Sequence, residues 1–512
     1  MKQLATIVDK RTVGVDSGPR LRDMVAKVVQ ECQNGVVSRV LLTGAAAGGE
    51  VGPDHHRIAA AMEELAQYAE AVGAALQRRP DGLDLLVPRA VVTIESVGDV
   101  MVVAGHRREP ALAAVLPWTT PPERFERLLA AACGRDDGLL GRLLSLDRWG
   151  AWELADLIAA VGNRPLDVPT GAQLRALVRH DSHLVATLAS EVLNRAGEPA
   201  VPQFVMDHDP ARVNNTRQRA DGTFTEEWAA RIDVDEYAFY EATHPGYAEQ
   251  VRVLAHMIRR LAGSPPRILD VGSGPGLPTI MLSELFEHTT IDAVEPSSDA
   301  FPYLCHAVAG RPIIPHHCGV ADFPGAGRYP VIVSVGSSHH LDTRVFLESL
   351  RRLVQPGGLV VVADEMIAPF TNGTDRAHHL IDHHFSYIDE ALAHVVPDTL
   401  PRVEQRRLQA FRAVDRHEPG TLHRLLWDVS QNRVPHPGQT SPWQRVRFAV
   451  LELEALVAGI DYDVERKTFP ANFMAMARDA GLETLEHRRV HATVGDDELD
   501  AGTHVVALWR PE

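Results

Sequence analysis

Cysteine is scarce. Only Cys32, Cys133, Cys305 and Cys318 occur, far apart and without CxxC spacing, which leaves no disulfide framework or thiolate metal cluster and reads as reduced, mostly buried thiols of a cytosolic protein. Long apolar runs are missing as well. No window approaches a membrane-spanning stretch of about twenty apolar residues, and Met1-Lys2-Gln3-Leu4-Ala5 lacks the apolar core of a signal peptide, so the expectation is a soluble, cytoplasmic protein. Positive charge is also in deficit. The chain carries 51 Lys+Arg against 68 Asp+Glu, a net charge of −17, so its surface as a whole repels phosphate backbones and nucleic acid is a poor substrate for it. At 512 residues it is too long for one core, and two or three domains are expected.

What is present centres on Arg267-Ile-Leu-Asp-Val-Gly-Ser-Gly-Pro-Gly276. The apolar run Ile268 to Val271 reads as a buried strand, the glycines as a tight turn, and Leu277 to Phe286 as a helix. In that geometry backbone N–H groups face a ligand with no side chains in the way. The glycines are not spaced as the nicotinamide fingerprint G-x-G-x-x-G, which disfavours an oxidoreductase; Asp270, Gly272, Gly274 and Gly276 alternate as D-x-G-x-G-x-G. A second strand, Thr290 to Val294, ends at Glu295-Pro296, at the distance where a doubly wound fold places a carboxylate on ribose hydroxyls. Asp322-Phe323 follows a third strand, and Gln355-Pro-Gly-Gly-Leu-Val-Val-Val-Ala-Asp364 forms a helix-turn-strand passage.

Taken together these pieces resemble the class I S-adenosylmethionine (SAM) methyltransferases, over residues of roughly 205–512. The resemblance implies an α/β fold with a doubly wound, mostly parallel, seven-stranded Rossmann-like sheet, and SAM as cofactor with S-adenosylhomocysteine as product. It assigns Asp270, Gly272, Gly274 and Gly276 to the methionine end, Glu295 and Pro296 to the ribose, Asp322 and Phe323 to the adenine, with Val335 at the end of strand four. Strands at 267–271, 290–294, 312–316, 330–335 and 358–364 alternate with helices at 277–286, 299–309 and 343–354, as right-handed crossovers require. A final helix, 472–480, and a closing hairpin, 482–490 with 503–509, complete the pattern.

Residues 204–512 form the expected catalytic domain. Within it, 366–469 is an insertion with three helical patterns, 375–395, 403–417 and 441–457, the last opening on Ser441-Pro-Trp-Gln444 as cap and capping box. An insertion at the carboxyl end of the sheet reads as a lid and substrate-recognition surface. Ahead of motif I, the aromatic segment Asp235 to Tyr247 supplies Tyr240, His244 and Tyr247 as candidates to close over the methionine end, or as aromatics that pin a helix to the sheet. Residues 119–203 are helical, with stripes Phe125, Leu128, Leu129 and Leu154, Leu157, Ile158, Val161. Residues 1–118 form a small α/β module: helical stripes at Leu21–Cys32 and Ile58–Leu76, a strand at Val40–Thr43, and a hairpin of Ala90–Glu95 with Val100–Ala104. That order is similar to a roadblock-type module, which implies dimerisation or docking, and a homodimer is expected.

Methyl transfer from a sulfonium is an in-line displacement; the protein aligns the partners, excludes water and removes any acceptor proton. His339, His340, Glu365 and His383 are the catalytic candidates. His379 and His383, one turn apart, are also half of a metal site, which would orient a keto or enol acceptor; the same histidines read as a solvated helix face. Strand four ends in Ser337-Ser-His-His340 and lacks the Asn/Asp-Pro-Pro-aromatic motif of similar enzymes that methylate nucleic-acid amines. The expected acceptor is a small molecule, natural product or peptide. A non-catalytic SAM-binding scaffold that recruits a partner is the reading from another class.

Overall fold

A computed structural model describes residues 7–9, 39–43, 75–79, 82–87, 90–97, 100–107, 139–145, 149–162, 165–198, 200–206, 234–418, 420–430, 441–460 and 465–512. The chain divides into two compact units, residues 1–174 and 175–512.

In the first unit, β1 (Ile7–Asp9), β2 (Arg39–Thr43), β3 (Ala75–Arg79), β4 (Gly82–Val87), β5 (Ala90–Val97) and β6 (Val100–Arg107) form one sheet in the order β1-β2-β6-β5-β4-β3. The expected hairpin is β5 with β6, paired from Ala90↔Arg107 to Val97↔Val100. Leu76 is a correction: it lies in β3, antiparallel to β4, and not on a helix. The turn signal Pro80-Asp81-Gly82 between these runs was legible. The stripes at Leu21–Cys32, Ile58–Val72 and Phe125–Leu129 lie outside the described residues. Two helices follow, α1 (Leu139–Leu144) and α2 (Ala151–Ala159), and the expected stripe Leu154, Leu157, Ile158 and Val161 is buried. Helix α3 (Val168–Leu177) comes next.

The second unit begins with α4 (His183–Arg195), α5 (Gln203–Met206), α6 (Val234–Thr243) and α7 (Tyr247–Ala262). Ser182 caps α4, and Glu284 accepts from the Ser182 hydroxyl at 2.7 Å and from the His183 N–H at 3.1 Å, so the segment is tied to the catalytic unit. Then come β7 (Arg267–Val271), α8 (Leu277–Leu285), β8 (Thr290–Glu295), α9 (Ala300–Ala307), β9 (Ile313–His317), β10 (Tyr329–Val335), α10 (Thr343–Leu353) and β11 (Val354–Met366). Four helices, α11 (Gly373–Leu392), α12 (Arg402–Ala413), α13 (Thr421–Ser430) and α14 (Ser441–Ile460), precede α15 (Pro470–Asp479), β12 (Glu483–Val494) and β13 (Ala501–Trp509).

The sheet order is β12-β13-β11-β10-β7-β8-β9. Strands β9, β8, β7, β10 and β11 are parallel, while β13 runs antiparallel to β11 and pairs with β12. The architecture is the expected α/β, Rossmann-like one. Central strands are apolar on both faces because helices cover both, and Ile268, Leu269, Val331, Ile332, Val333, Val360, Val361 and Val362 are fully buried. Chain order reverses between β7 and β10, which opens a crevice at their carboxyl ends.

The insertion holds one helix more than its pattern suggested. Leu422, Leu425 and Val429 recur at helical spacing and are buried on α13. These helices share a core of their own, with Leu380, Phe385, Leu408, Leu425, Val446, Leu453 and Leu456 among its members. The aromatic segment before motif I is itself a helix, α6, and α7 starts at its last aromatic, Tyr247.

Gly276 caps α8 at φ 104°, and a Cβ there would sit 2.9 Å from Leu304 Cδ1. Gly276→Ala should therefore lower stability by about 1–3 kcal/mol, read from the denaturant midpoint. Gly310→Ala, at φ 79° with open space around it, should lose about 1 kcal/mol or less. Equal losses at both positions would show that the loop does not pack tightly on α9.

Candidate active site

The glycine loop is shaped by contacts that only glycine tolerates. Gly272, Gly274 and Gly276 have φ of 74°, 53° and 104°, in the left-handed region where a side chain is strained. A Cβ on Gly272 would lie 2.6 Å from Ser337 Cβ on the neighbouring strand end, and one on Gly274 would lie 3.3 Å from Tyr237 Cε1 and 3.7 Å from Glu241 Oε1. The Gly272 and Ser273 N–H groups donate to the Val294 carbonyl at 2.9 and 3.1 Å, which fastens the loop to the end of β8.

Three carboxylates surround this loop. Asp270 is buried at the end of β7 and accepts from the Thr279 hydroxyl on α8. Glu295 accepts from the Gly274 N–H and the Ser297 N–H, each at 2.8 Å. Glu241, on α6, accepts from the Tyr247 hydroxyl at 2.8 Å through Oε1, while its buried Oε2 has no hydrogen-bond partner among the described residues. Burial raises all three. Asp270 is pushed up to about 6, Glu241 rises well above the ordinary carboxylate range with Asp270 and Glu295 adding to the effect, and Glu295 is raised despite its two backbone donors. Carboxyl groups crowd here, and among the described residues no lysine or arginine lowers any of the three.

A second cluster, at the ends of β10 and β11, has the opposite balance. Glu365 Oε2 lies 2.8 Å from Lys467 Nζ and 3.4 Å from His383 Nε2; its Oε1 lies 2.8 Å from His244 Nε2, an ion-pair contact without hydrogen-bond alignment. Lys467 also bonds Glu465 at 3.0 Å and His384 Nε2 at 3.0 Å. His384 Nδ1 pairs with Glu452 at 2.6 Å, and Glu452 accepts from the Tyr240 hydroxyl at 2.6 Å. Burial works to raise Glu365 and Glu465, yet Lys467 beside both holds them well below the usual carboxylate range. Burial and Lys467 oppose charge on His384, but Glu452 and Glu465 raise its affinity for a proton. His383 is pushed down to about 4 by burial, against Glu365.

Other sequence candidates fall as follows. The rings of His339 and His340 are 4.0 Å apart, and His339 Nδ1 bonds Asp364 at 2.6 Å. Burial and the neighbouring His339 hold His340 down to about 3. Tyr240 and Tyr247 are buried and anchored on carboxylates of the two clusters, with Tyr247 Oη 3.1 Å from where a Gly336 Cβ would be. Val335 is buried and Pro296 exposed at their strand ends. Phe323 lies in the apolar core against His316 and Tyr329, while Asp322 is exposed. His379 and His383 do not converge: His379 Nε2 lies 3.3 Å from Asp375 on its own helix, whereas His383 Nδ1 bonds Thr493 at 2.7 Å.

Sequence reasoning missed Glu241, Glu452, Glu465 and Lys467. Glu241 sits within the aromatic segment, one residue past Tyr240, and was legible there. The other three come from segments remote from motif I and carry no local signature.

Comparison with known proteins agrees with this geometry. Residues 268–358 match the family model described as a methyltransferase domain. A curated relative, the tRNA1(Val) (adenine(37)-N6)-methyltransferase of Dyadobacter fermentans, is 31% identical over 114 residues, covering 18% of this chain and 48% of the relative. The chain thus spans about half the length of that relative. Among solved structures, the Burkholderia thailandensis 1,6-didemethyltoxoflavin-N1-methyltransferase, bound to 1,6-didemethyltoxoflavin and S-adenosylhomocysteine, is 13% identical, with 51% of this chain and 79% of that one covered at a TM-score of 0.28. A geranyl diphosphate methyltransferase complexed with GPP and sinefungin is 14% identical, with 52% and 78% covered and a TM-score of 0.27. Similarity at that level says nothing about substrate.

Lys467 compensates at least two buried carboxylates, so Lys467→Met should cost about 3–5 kcal/mol near neutral pH. In the wild type the depressed Glu365 and Glu465 contribute stability that is full above the ordinary carboxylate value and is lost as pH falls through their lower folded values. Without the lysine the same groups prefer their protons, so the variant should regain stability as pH falls from about 8 to about 5. Urea midpoints that stay a constant distance apart across that range would reject the charge balance.

Proposed function

We propose that the protein is a SAM-dependent methyltransferase acting on a small-molecule, natural-product or peptide acceptor. The observation that carries this reading is the set of three buried carboxyl groups, Asp270, Glu241 and Glu295, with no lysine or arginine partner among the described residues, around a glycine loop that has no room for side chains. SAM brings two cationic centres, a sulfonium and an ammonium, together with a transferable methyl group. Glu241 is proposed to hold the ammonium through Oε2, Asp270 to bias the loop toward cations, and Glu295 to take ribose hydroxyls while keeping Gly274 in place.

Acceptor binding is assigned to the ends of β10 and β11 and to the 366–469 helices acting as a lid. Glu365 is fixed and ionised, which suits it to accept a hydrogen bond from an acceptor O–H or N–H. His339, oriented by Asp364 through Nδ1, presents Nε2 on the same side. The net charge of −17 and the Ser337-Ser-His-His340 strand end favour a small or peptide acceptor over RNA. Among the described residues no helix is long and apolar enough to cross a membrane. The module at 1–118 is proposed to pair with a second copy or dock a partner.

Two measurements test this reading. In calorimetry Glu241→Gln and Glu295→Ala should each weaken SAM binding by roughly 10- to 100-fold, the worth of one charge-assisted hydrogen bond, about 1.5–3 kcal/mol. Wild-type affinity should fall as pH drops through about 6, where Asp270 takes up the proton that a bound cation displaces. Affinity that ignores both the substitutions and pH would sink the assignment. Incubation with methyl-labelled SAM and fractionated extract should place label in the small-molecule or peptide fraction; label in RNA alone would reject the proposed acceptor class.

A further inference from the structure

His339, His340 and Glu465 bring one ligand atom each within 4.8 Å of one another. Two imidazoles and one carboxylate are the donor set that holds first-row divalent ions while leaving coordination positions open. His339 is prepared for such a role. Its Nδ1 is 2.6 Å from Asp364, which also accepts from the His339 N–H at 3.1 Å, and a carboxylate behind an imidazole fixes the ring and makes the other nitrogen a better ligand. Nε2 is therefore the nitrogen left to coordinate. The backbone is held as well, since the Arg466 N–H donates to the His339 carbonyl at 2.7 Å, locking the segment that carries Glu465 to the one that carries both histidines. The ion would have a route in, because the His339 side chain is 10% exposed and His340 is partly exposed.

We infer that His339, His340 and Glu465 form a binding site for a divalent transition-metal ion, oriented by Asp364, whose open positions take oxygen atoms of the methyl acceptor. Ser337 shares this turn and packs on Gly272, with its hydroxyl donating to the Val271 carbonyl at 2.9 Å; the ion would thus lie beside the glycine loop. An acceptor with two adjacent oxygens, such as a 2-oxo acid or its enol, suits a site with three protein ligands on one side. The metal site stands on its own geometry, whereas its use by an acceptor rests on the methyl-transfer reading.

The full-length protein, stripped with chelator and freed of it, is titrated with Co²⁺ followed by its visible d–d absorption and with Zn²⁺ by calorimetry, without SAM. One equivalent should bind per chain. Glu465→Gln, His339→Ala and His340→Ala should each abolish the band or weaken binding by at least about 100-fold, and Asp364→Asn, which removes no ligand, by about 10- to 100-fold. Circular dichroism decides which variants count, and the two histidine variants at partly exposed positions carry the test if Glu465→Gln does not fold. Glu295→Ala should bind metal as the wild type does. Absence of saturable binding to the wild type, or wild-type binding by folded His339 and His340 variants, overturns the site. Metal binding without any SAM binding would leave the site standing and remove only its role in methyl transfer.

Discussion

The carboxyl end of the sheet is organised by the need to bury charge without leaving it unpaired. Glu365 comes from β11, Glu465 and Lys467 from the chain returning to α15, His384 from α11, Glu452 from α14, and Tyr240 from α6. An isolated ion in this environment would be prohibitive, and a pair is neutral at best unless every lone pair is used. Lys467 touches two carboxylates and an imidazole, His384 joins Lys467 to Glu452, and Glu452 receives Tyr240. Every bond but Lys467–Glu465 links two different elements. The insertion's helices therefore cannot swing away from the sheet at this point without exposing or orphaning several ions, which makes their placement specific in a way that their shared apolar core does not require.

The neighbouring cluster obeys the opposite rule, and the contrast carries the functional argument. Burial raises Asp270, Glu241 and Glu295, and among the described residues no lysine or arginine offsets it, whereas Glu365, Glu465 and Glu452 are lowered by their cationic partners. Two sets of three carboxyl groups thus differ in the partners that accompany their burial. The Glu365, Glu465 and Glu452 set has cationic partners within the protein. The Asp270, Glu241 and Glu295 set lies beside a loop cleared of side chains, where a cationic ligand would offset its burial.

Much of the sheet was legible because its signals are local. Apolar runs such as Ile268-Leu269 and Val360-Val361-Val362 mark strands buried on both faces, and the alternating Asp270, Gly272, Gly274, Gly276 marks the turn. Glycine had to appear there for a physical reason, a positive φ and a close approach by Ser337 and Leu304, so its pattern survives in one dimension. The charged network has no such trace. Lys467 is 102 positions from Glu365 by residue number, and His384 shares an apolar face of α11 with Ile381 and Ile388, whereas its partner Glu452 sits three helices later, on α14. The hairpin β3/β4 and helix α13 were missed for a different reason. Their turns and periodicity were readable, but Leu76 fitted a helical stripe as well as a strand, and α13 is short.

In the proposed reading, most of the groups assigned to the acceptor lie in parts of the chain that the family match does not reach. That match ends at residue 358, before Asp364 and Glu365, before the helices of 366–469, and before Glu465 and Lys467. It does include His339 and His340, yet these become a site only when Glu465 returns from the far side of the insertion. The family match thus carries the glycine loop, Glu295 and the two histidines, whereas Glu365, Glu465 and the 366–469 helices, proposed to serve the acceptor, lie outside it. If the proposed reading holds, a fixed carboxylate, a carboxylate-oriented histidine and a buried lysine at the strand ends suit an acceptor that is itself oxygen-rich and small enough to sit beneath helices tied down by ions.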